Sequence, residues 1–272
     1  MSFERGARIN ELLAALSDIT PDDMVRMQSD NLNLRARTIV PSLLSLLQGA
    51  DLTAEERSCL GELEAWDYTH RPGLAAPSIF DRLWREFNTF TWNDEPRGAN
   101  VPKQWPASYV TLDLVLYQPD DILFDDQTTA VRETAADLAV KALKAACRRL
   151  TEQYGPFGPA WSWGKTHPTT IGHLGRLPGF GRGPLETSGA GILINAASGS
   201  HGPSWRQVIA LGPEVKAWGI YPGGQSGNPG SPFYDNAVDD WVAGKAYALL
   251  FLKTPDDKNP KIIARTTLGG RS

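Results

Sequence analysis

The 272-residue chain, 41% hydrophobic and 21% charged, is long enough for one large core or two small ones and is composed like a soluble globular protein. A net charge of −4 offers no basic field for nucleic acid, and no apolar run approaches the ~20 residues of a membrane span. Met1-Ser-Phe-Glu-Arg5 opens a polar helix and not a signal peptide. The two cysteines, Cys59 and Cys147, do not make a disulfide framework; they fall on separate helical segments and are expected as free thiols.

In chain order, Ile9, Leu12, Leu13 and Leu16 recur at helical spacing and predict an amphipathic helix over residues 3–16. Thr20 caps a second helix with Pro21 at its first position. Leu32 to Leu47 is apolar and helical, with Pro41 expected to kink or divide it. Thr53-Ala-Glu-Glu56 is a capping box that opens a short helix toward Trp66. Pro77 to Phe87 places Ile79, Leu83 and Phe87 on one face. Residues 91–107 read as loop, and Val110–Tyr117 is open between strand and helix. Val131 to Tyr154 is a long helix ended by Gly155 and Pro156.

Beyond Gly155 the composition turns to glycine and proline. Strands are expected at 191–196, 204–211, 215–221, 246–253 and 261–267. A mainly helical segment, 1–154, therefore precedes a Gly/Pro-rich, mainly β segment, 155–272. The fold class is α+β, with both segments expected to form one unit because neither alone covers its apolar faces.

His70, His167, His173 and His201 lack metal-ligand spacing and read as structural or loop-capping residues. Gly179-Phe-Gly-Arg-Gly183 follows no clear strand and opens no helix, so it reads as a turn and not a phosphate loop. Asp125-Asp126 reads as a solvated helix entry.

The most constrained stretch is Gly219–Asp235, with four glycines and three prolines between Pro222 and Pro232. It excludes helix and central strand and specifies a tight loop through Gly223, Gly224, Gln225, Ser226, Gly227 and Asn228. Gln225, Ser226 and Asn228 are placed to hydrogen-bond backbone groups that the turns leave unpaired. A positive φ at Gly224 or Gly227 would make valine there cost more than about 1 kcal/mol.

Pro222-Gly-Gly-Gln-Ser-Gly-Asn-Pro229 with Ser231-Pro-Phe-Tyr-Asp235 resembles the C-terminal region of the penicillin acylase (penicillin amidase) family of N-terminal-nucleophile amidohydrolases. His201-Gly-Pro-Ser-Trp-Arg206, Trp161-Ser-Trp-Gly-Lys-Thr-His167, Gln28-Ser-Asp30 and Arg5-Gly-Ala-Arg8-Ile9 resemble further family elements in family order. The resemblance covers nearly the whole chain. It implies the C-terminal portion, within the β subunit, of an αββα sandwich that cleaves the acyl amide bond of penicillin-like or N-acyl-homoserine-lactone-like small molecules.

In the family a serine freed by autoproteolysis attacks the amide, its own α-amine acts as base, and an asparagine with backbone N–H groups forms the oxyanion hole. Those elements lie upstream of the part matched here, so the resemblance implies that this chain lacks the nucleophile and is inactive alone. Its partners would be the nucleophile-bearing and α-chain segments of the same precursor. Ser2 would mimic the nucleophile if Met1 were trimmed, but a helix pattern and not a strand follows it. Arg5 matches the family's active-site arginine and would be an auxiliary electrostatic group. No cofactor or metal is implied within this chain, calcium belonging to the complete assembly, and the compartment implied is periplasmic or extracellular. Two other readings stay open, a non-catalytic truncated or assembly module and a carbohydrate-binding protein suggested by the nine tryptophans. Against the latter, Trp66, Trp84, Trp205 and Trp241 sit in apolar patterned segments expected as core.

Overall fold

The computed structural model describes residues 3–93, 105–200 and 202–269. Helices come first: α1 (Glu4–Ala14), α2 (Pro21–Gln28), α3 (Leu34–Leu46), α4 (Ala54–Glu64), α5 (Ala76–Trp92), α6 (Ser108–Tyr117), α7 (Ala135–Tyr154) and the single turn α8 (Trp163–Thr166). Then come β1 (Thr169–Ile171), β2 (Arg182–Leu185), β3 (Arg206–Ala210), β4 (Lys216–Ile220), the short helix α9 (Val238–Val242) and β5 (Tyr247–Ala248). The chain is α+β, helical first and β-rich later. Among the described residues no helix is long and apolar enough to cross a membrane.

Caps fix most helix starts. Thr20 and Asp23 exchange hydrogen bonds in a capping box ahead of α2, as Thr53 and Glu56 do ahead of α4. Thr134 N–H donates to Asp137 at 2.9 Å, so α7 starts at Ala135, four residues after the expected Val131, and it ends on Gly155 at φ 82°. Pro41 does not divide α3, which runs unbroken through it. α5 continues to Trp92, into the segment expected as loop, and residues 94–104 of that loop lie outside the described residues.

The principal core lies among the helices, where α5 packs along α7 with α3, α4 and α6 around them. Ile39, Leu43, Ile79, Leu83, Phe87, Leu138 and Leu143 are fully buried there. Each such side chain contributes about 1.5–3 kcal/mol by leaving water. This packing decides the ambiguous Val110–Tyr117 stretch as helix, because its neighbours α3 and α5 offer no strand edge. Thr111 Oγ1, fully buried, accepts from Trp92 Nε1 at 2.8 Å and donates to Asn88 Oδ1 at 2.7 Å. Cys59 on α4 and Cys147 on α7 are free thiols, both buried in this core.

The β half is thinner. β1 and β2 form a two-stranded antiparallel ribbon; of the Gly179–Gly183 segment expected as a turn, Gly179–Gly181 lies in the connection while Arg182 and Gly183 open β2. β3, β4 and β5 form a three-stranded antiparallel sheet with β4 in the centre, Val208 opposite Trp218 and Trp218 opposite Ala248. Under it lies a small cluster of Ile220, Ala237 and Trp241. Three strand expectations change. Residues 191–196 are turns, because the chain reverses on itself and Ala190 N–H donates to Asn195 O at 3.1 Å. The expected strand 246–253 shrinks to Tyr247–Ala248, and 261–267 forms none, with Ile263 and Leu268 exposed and no sheet edge beside them. Trp66, Trp84 and Trp241 are core, as expected, whereas Trp205 is 47% exposed.

Candidate active site

α1 sets the position of Arg5. Glu4, the one buried residue of that helix, accepts from Arg35 Nη2 of α3 at 2.6 Å and fastens the first turn of α1 to the helical core. One position on, Arg5 binds backbone far along the chain. Its Nε donates to Leu193 O at 2.9 Å and its Nη2 to Gly191 O at 2.7 Å. Among the described residues the guanidinium is thereby held by two backbone carbonyls and not by a carboxylate, so its positive charge is oriented without being neutralised. Nη1 takes no part in either bond.

The Gly189–Asn195 loop that holds Arg5 is tied from many directions. Gly189 has φ +91°, and a Cβ there would lie 2.1 Å from Asn195 O, so only glycine permits the reversal. Gly189 N–H donates to His70 O at 2.9 Å, and Gly189 O accepts from Trp163 Nε1 at 2.9 Å. Asn195 N–H donates to Asp30 O at 3.0 Å. The buried Asn195 side chain donates to Ser188 and accepts from Arg206 Nη2 at 2.8 Å. Arg206 is itself buried, donates through Nη1 to Trp241 O at 2.8 Å and lies 5.1 Å from the Trp241 ring, while its Nε has no partner among the described residues. Burial pulls its guanidinium below the usual arginine range.

Gln28 and Asp30 complete the frame. Gln28 Nε2 donates to Gln207 O of β3 at 2.8 Å, and Asp30 accepts a two-pronged contact from Arg8 at 3.1 and 2.8 Å. The Arg5–Ile9, Gln28–Asp30, Trp161–His167 and Ser204–Arg206 motifs therefore converge on one loop although they are far apart in sequence. Sequence reasoning missed Asn195 as a tie because it read that stretch as strand. Its available signal was Gly189, a glycine shortly before a run of small residues.

Gly223–Asn228 lies elsewhere, against β4 and the β1–β2 ribbon. Ser226 Oγ accepts from Asn228 N–H at 3.1 Å, Asn228 Oδ1 accepts from Gly230 N–H at 2.9 Å, and Ser226 N–H donates to Phe233 O at 3.0 Å. Ser226 and Asn228 thus pair the turn's backbone. Gln225 is exposed and lines a cavity of about 180 Å³ with Trp205, Tyr221 and Tyr247. Gly223 N–H donates to Tyr221 O at 3.0 Å. Neither Gly224 nor Gly227 has the positive φ considered from sequence. Gly224 is instead a close-approach position, where a Cβ would sit 2.0 Å from Phe233 O, and Gly227 faces open space.

His173 Nδ1 accepts from Gly175 N–H at 3.1 Å and caps its loop; His167 stacks on Trp163 at 3.8 Å. His70 is buried edge-on to Trp163, and Asn33 Nδ2 lies 3.0 Å from its Nε2. An amide nitrogen only donates, so Nε2 accepts and the ring is neutral with its proton on Nδ1. Burial pushes its pKa down to about 3 against the opposing charge of Asp81. His201 lies outside the described residues. Among the described residues no group of three or more His, Cys, Asp or Glu gathers to hold a metal.

The family model for penicillin amidase matches residues 2–256. The chain belongs to the penicillin amidase family. It is 25% identical to an acyl-homoserine lactone acylase QuiP from Pseudomonas aeruginosa over 91% of its length, and 29% identical to the QuiP of Pseudomonas fluorescens strain Pf0-1 over 90%. It spans 34% and 33% of those relatives, about a third of their length. In fold it is similar to a thermostable penicillin G acylase from Alcaligenes faecalis, with a TM-score of 0.55, 15% identity, and 96% of this chain and 53% of that chain covered. The Arg5 loop thus lies within the stretch that the penicillin amidase model matches.

Proposed function

We propose that the chain is the C-terminal portion, within the β subunit, of an αββα acylase that hydrolyses the acyl amide bond of N-acyl-homoserine-lactone-like or penicillin-like small molecules. The nucleophile serine, its α-amine base and the oxyanion donors are assigned to upstream segments of the same precursor, which are the chain's partners. So are any calcium ligands, and the compartment is periplasmic or extracellular. Arg5 is the group this chain supplies to the chemistry. The observation that carries the reading is an arginine whose guanidinium is fixed by Gly191 O and Leu193 O, with no carboxylate among the described residues to quench it. Such a preoriented charge stabilises the oxyanion that develops in acyl transfer more than it stabilises the neutral amide.

The test is turnover of a chromogenic phenylacetyl or fatty-acyl anilide by the assembled precursor product. Arg5→Ala is expected to lower kcat/KM by about 100-fold, the scale of losing one oxyanion-stabilising donor, and the isolated chain is expected to be inactive. An assembly inactive on every acyl amide would make the chain a non-catalytic assembly module. An unchanged rate in Arg5→Ala would remove Arg5 from the chemistry and leave the acylase reading standing.

A further inference from the structure

Two sulfurs that are 88 residues apart in sequence meet where α4 packs on α7. Cys59 Sγ and Cys147 Sγ are 2.8 Å apart, with the residues 0% and 3% exposed. They are the chain's only cysteines, so no third thiol competes for either partner. Apolar residues surround the site: Leu63 of α4, and Leu143 and Leu150 of α7, belong to the same core cluster. No His, Asp or Glu is gathered with the pair to make a metal site among the described residues. Hydrogen bonding to Cys59 and burial push the Cys147 thiol up, so it stays protonated and is no nucleophile in the folded protein. Two thiols so placed are one two-electron oxidation away from a covalent bond.

We propose that Cys59 and Cys147 form a disulfide that cross-links α4 to α7 when the protein folds in an oxidising environment. Two S–H bonds break and one S–S bond forms. The two protons are released, and the two electrons reduce a disulfide oxidant, either a thiol–disulfide oxidoreductase or glutathione disulfide, to its two thiols. A disulfide is about 2.05 Å long, so the sulfurs need close by only about 0.8 Å and the helices keep their packing. The oxidant has no path to either sulfur in the folded core. Exchange therefore takes place before α4 docks on α7, and afterwards the same burial shields the bond from reductants. The cross-link closes a loop that contains α5 and α6 and restricts the unfolded chain more than the folded one.

The proposal is tested on the full chain folded in a glutathione/glutathione disulfide buffer, then denatured in guanidinium with iodoacetamide and weighed intact. The expected product is about 2 Da lighter than the reduced chain and carries no carbamidomethyl group. Dithiothreitol added to the native protein leaves that mass unchanged, whereas dithiothreitol added in guanidinium exposes two thiols. Cys147→Ala is expected to lower Tm by on the order of 10 °C against the oxidised protein. Two carbamidomethyl groups after oxidative folding, or glutathione adducts in place of the 2 Da loss, would overturn it. The mass of the unsubstituted chain decides the matter even if Cys147→Ala does not fold.

Discussion

His70 shows how one buried side chain carries a pH dependence. Its ring is neutral because water is excluded and because Asn33 donates to Nε2, which leaves that nitrogen no room for a proton. In the unfolded chain the same imidazole titrates near 6.5, whereas in the folded one it resists protonation down to about 3. The neutral form's contribution is thus fully present above pH ~6.5 and is lost as the pH falls toward the folded pKa, at about 1.4 kcal/mol per unit. Between pH 7 and pH 5 urea unfolding should lose about 2 kcal/mol from this residue alone. His70→Gln should start less stable but with a flatter pH profile. If wild type and variant have parallel profiles over that range, His70 is not the titrating group. Asp81 and His167 are the ionisable neighbours to control for.

At the scale of elements, the loop from Gly219 to Asp235 shows what a glycine-rich segment requires. Its two most suggestive glycines separate in the structure. Gly224 sits where Phe233 O leaves no space for a Cβ, while Gly227 has nothing within 4 Å. Gly224→Val should therefore cost more than about 1 kcal/mol by overpacking against backbone, and Gly227→Val should stay within about 0.5 kcal/mol. Thermal unfolding of the two variants side by side is the check, and a neutral effect at both positions would show the loop to be a spacer. The helices were legible because their information is local. Thr20, Thr53 and Gly155 act within one turn of themselves, and each cap stands where the sequence places it. The late strands were not legible to the same degree, because a run of β-branched residues becomes a strand only beside an edge. Lys261–Thr267 has the composition and lacks the neighbour.

At the scale of the molecule, we expect the helical and β halves to form one interdependent unit. The helical core is extensive, whereas the β sheet rests on Ile220, Ala237 and Trp241. The Gly189–Asn195 loop joins the halves through Arg5, Asp30 and His70 on one side and Arg206 on the other. Expressed separately, residues 187–272 should show no cooperative melt, having too little apolar area to offset the ordering of the chain. Cooperative melting of both 1–153 and 187–272 would refute the single unit. Leu174, Leu211, Phe251, Ile263 and Leu268 are exposed in the β half, as are Leu13 on α1 and Leu16 just beyond its end. The isolated chain should accordingly bind a hydrophobic dye, and the assembled protein should bind less. Equal dye binding would mean that the proposed upstream partners do not cover these faces.

By itself the sequence determined the α+β order, the helix caps, the tight Gly219–Asp235 loop and the family, since these rest on local patterns and on motifs read in series. The tertiary structure decided what depends on distant partners. It made Val110–Tyr117 a helix because only helices surround it, exposed Trp205 despite its apolar setting, and turned 191–196 into the loop that grips Arg5. It also brought Cys59 to Cys147, a meeting that no spacing in the sequence announces. The physical reason is the same in each case: burial and hydrogen-bond satisfaction are properties of a residue together with its neighbours in space, and those neighbours are chosen only when the chain folds.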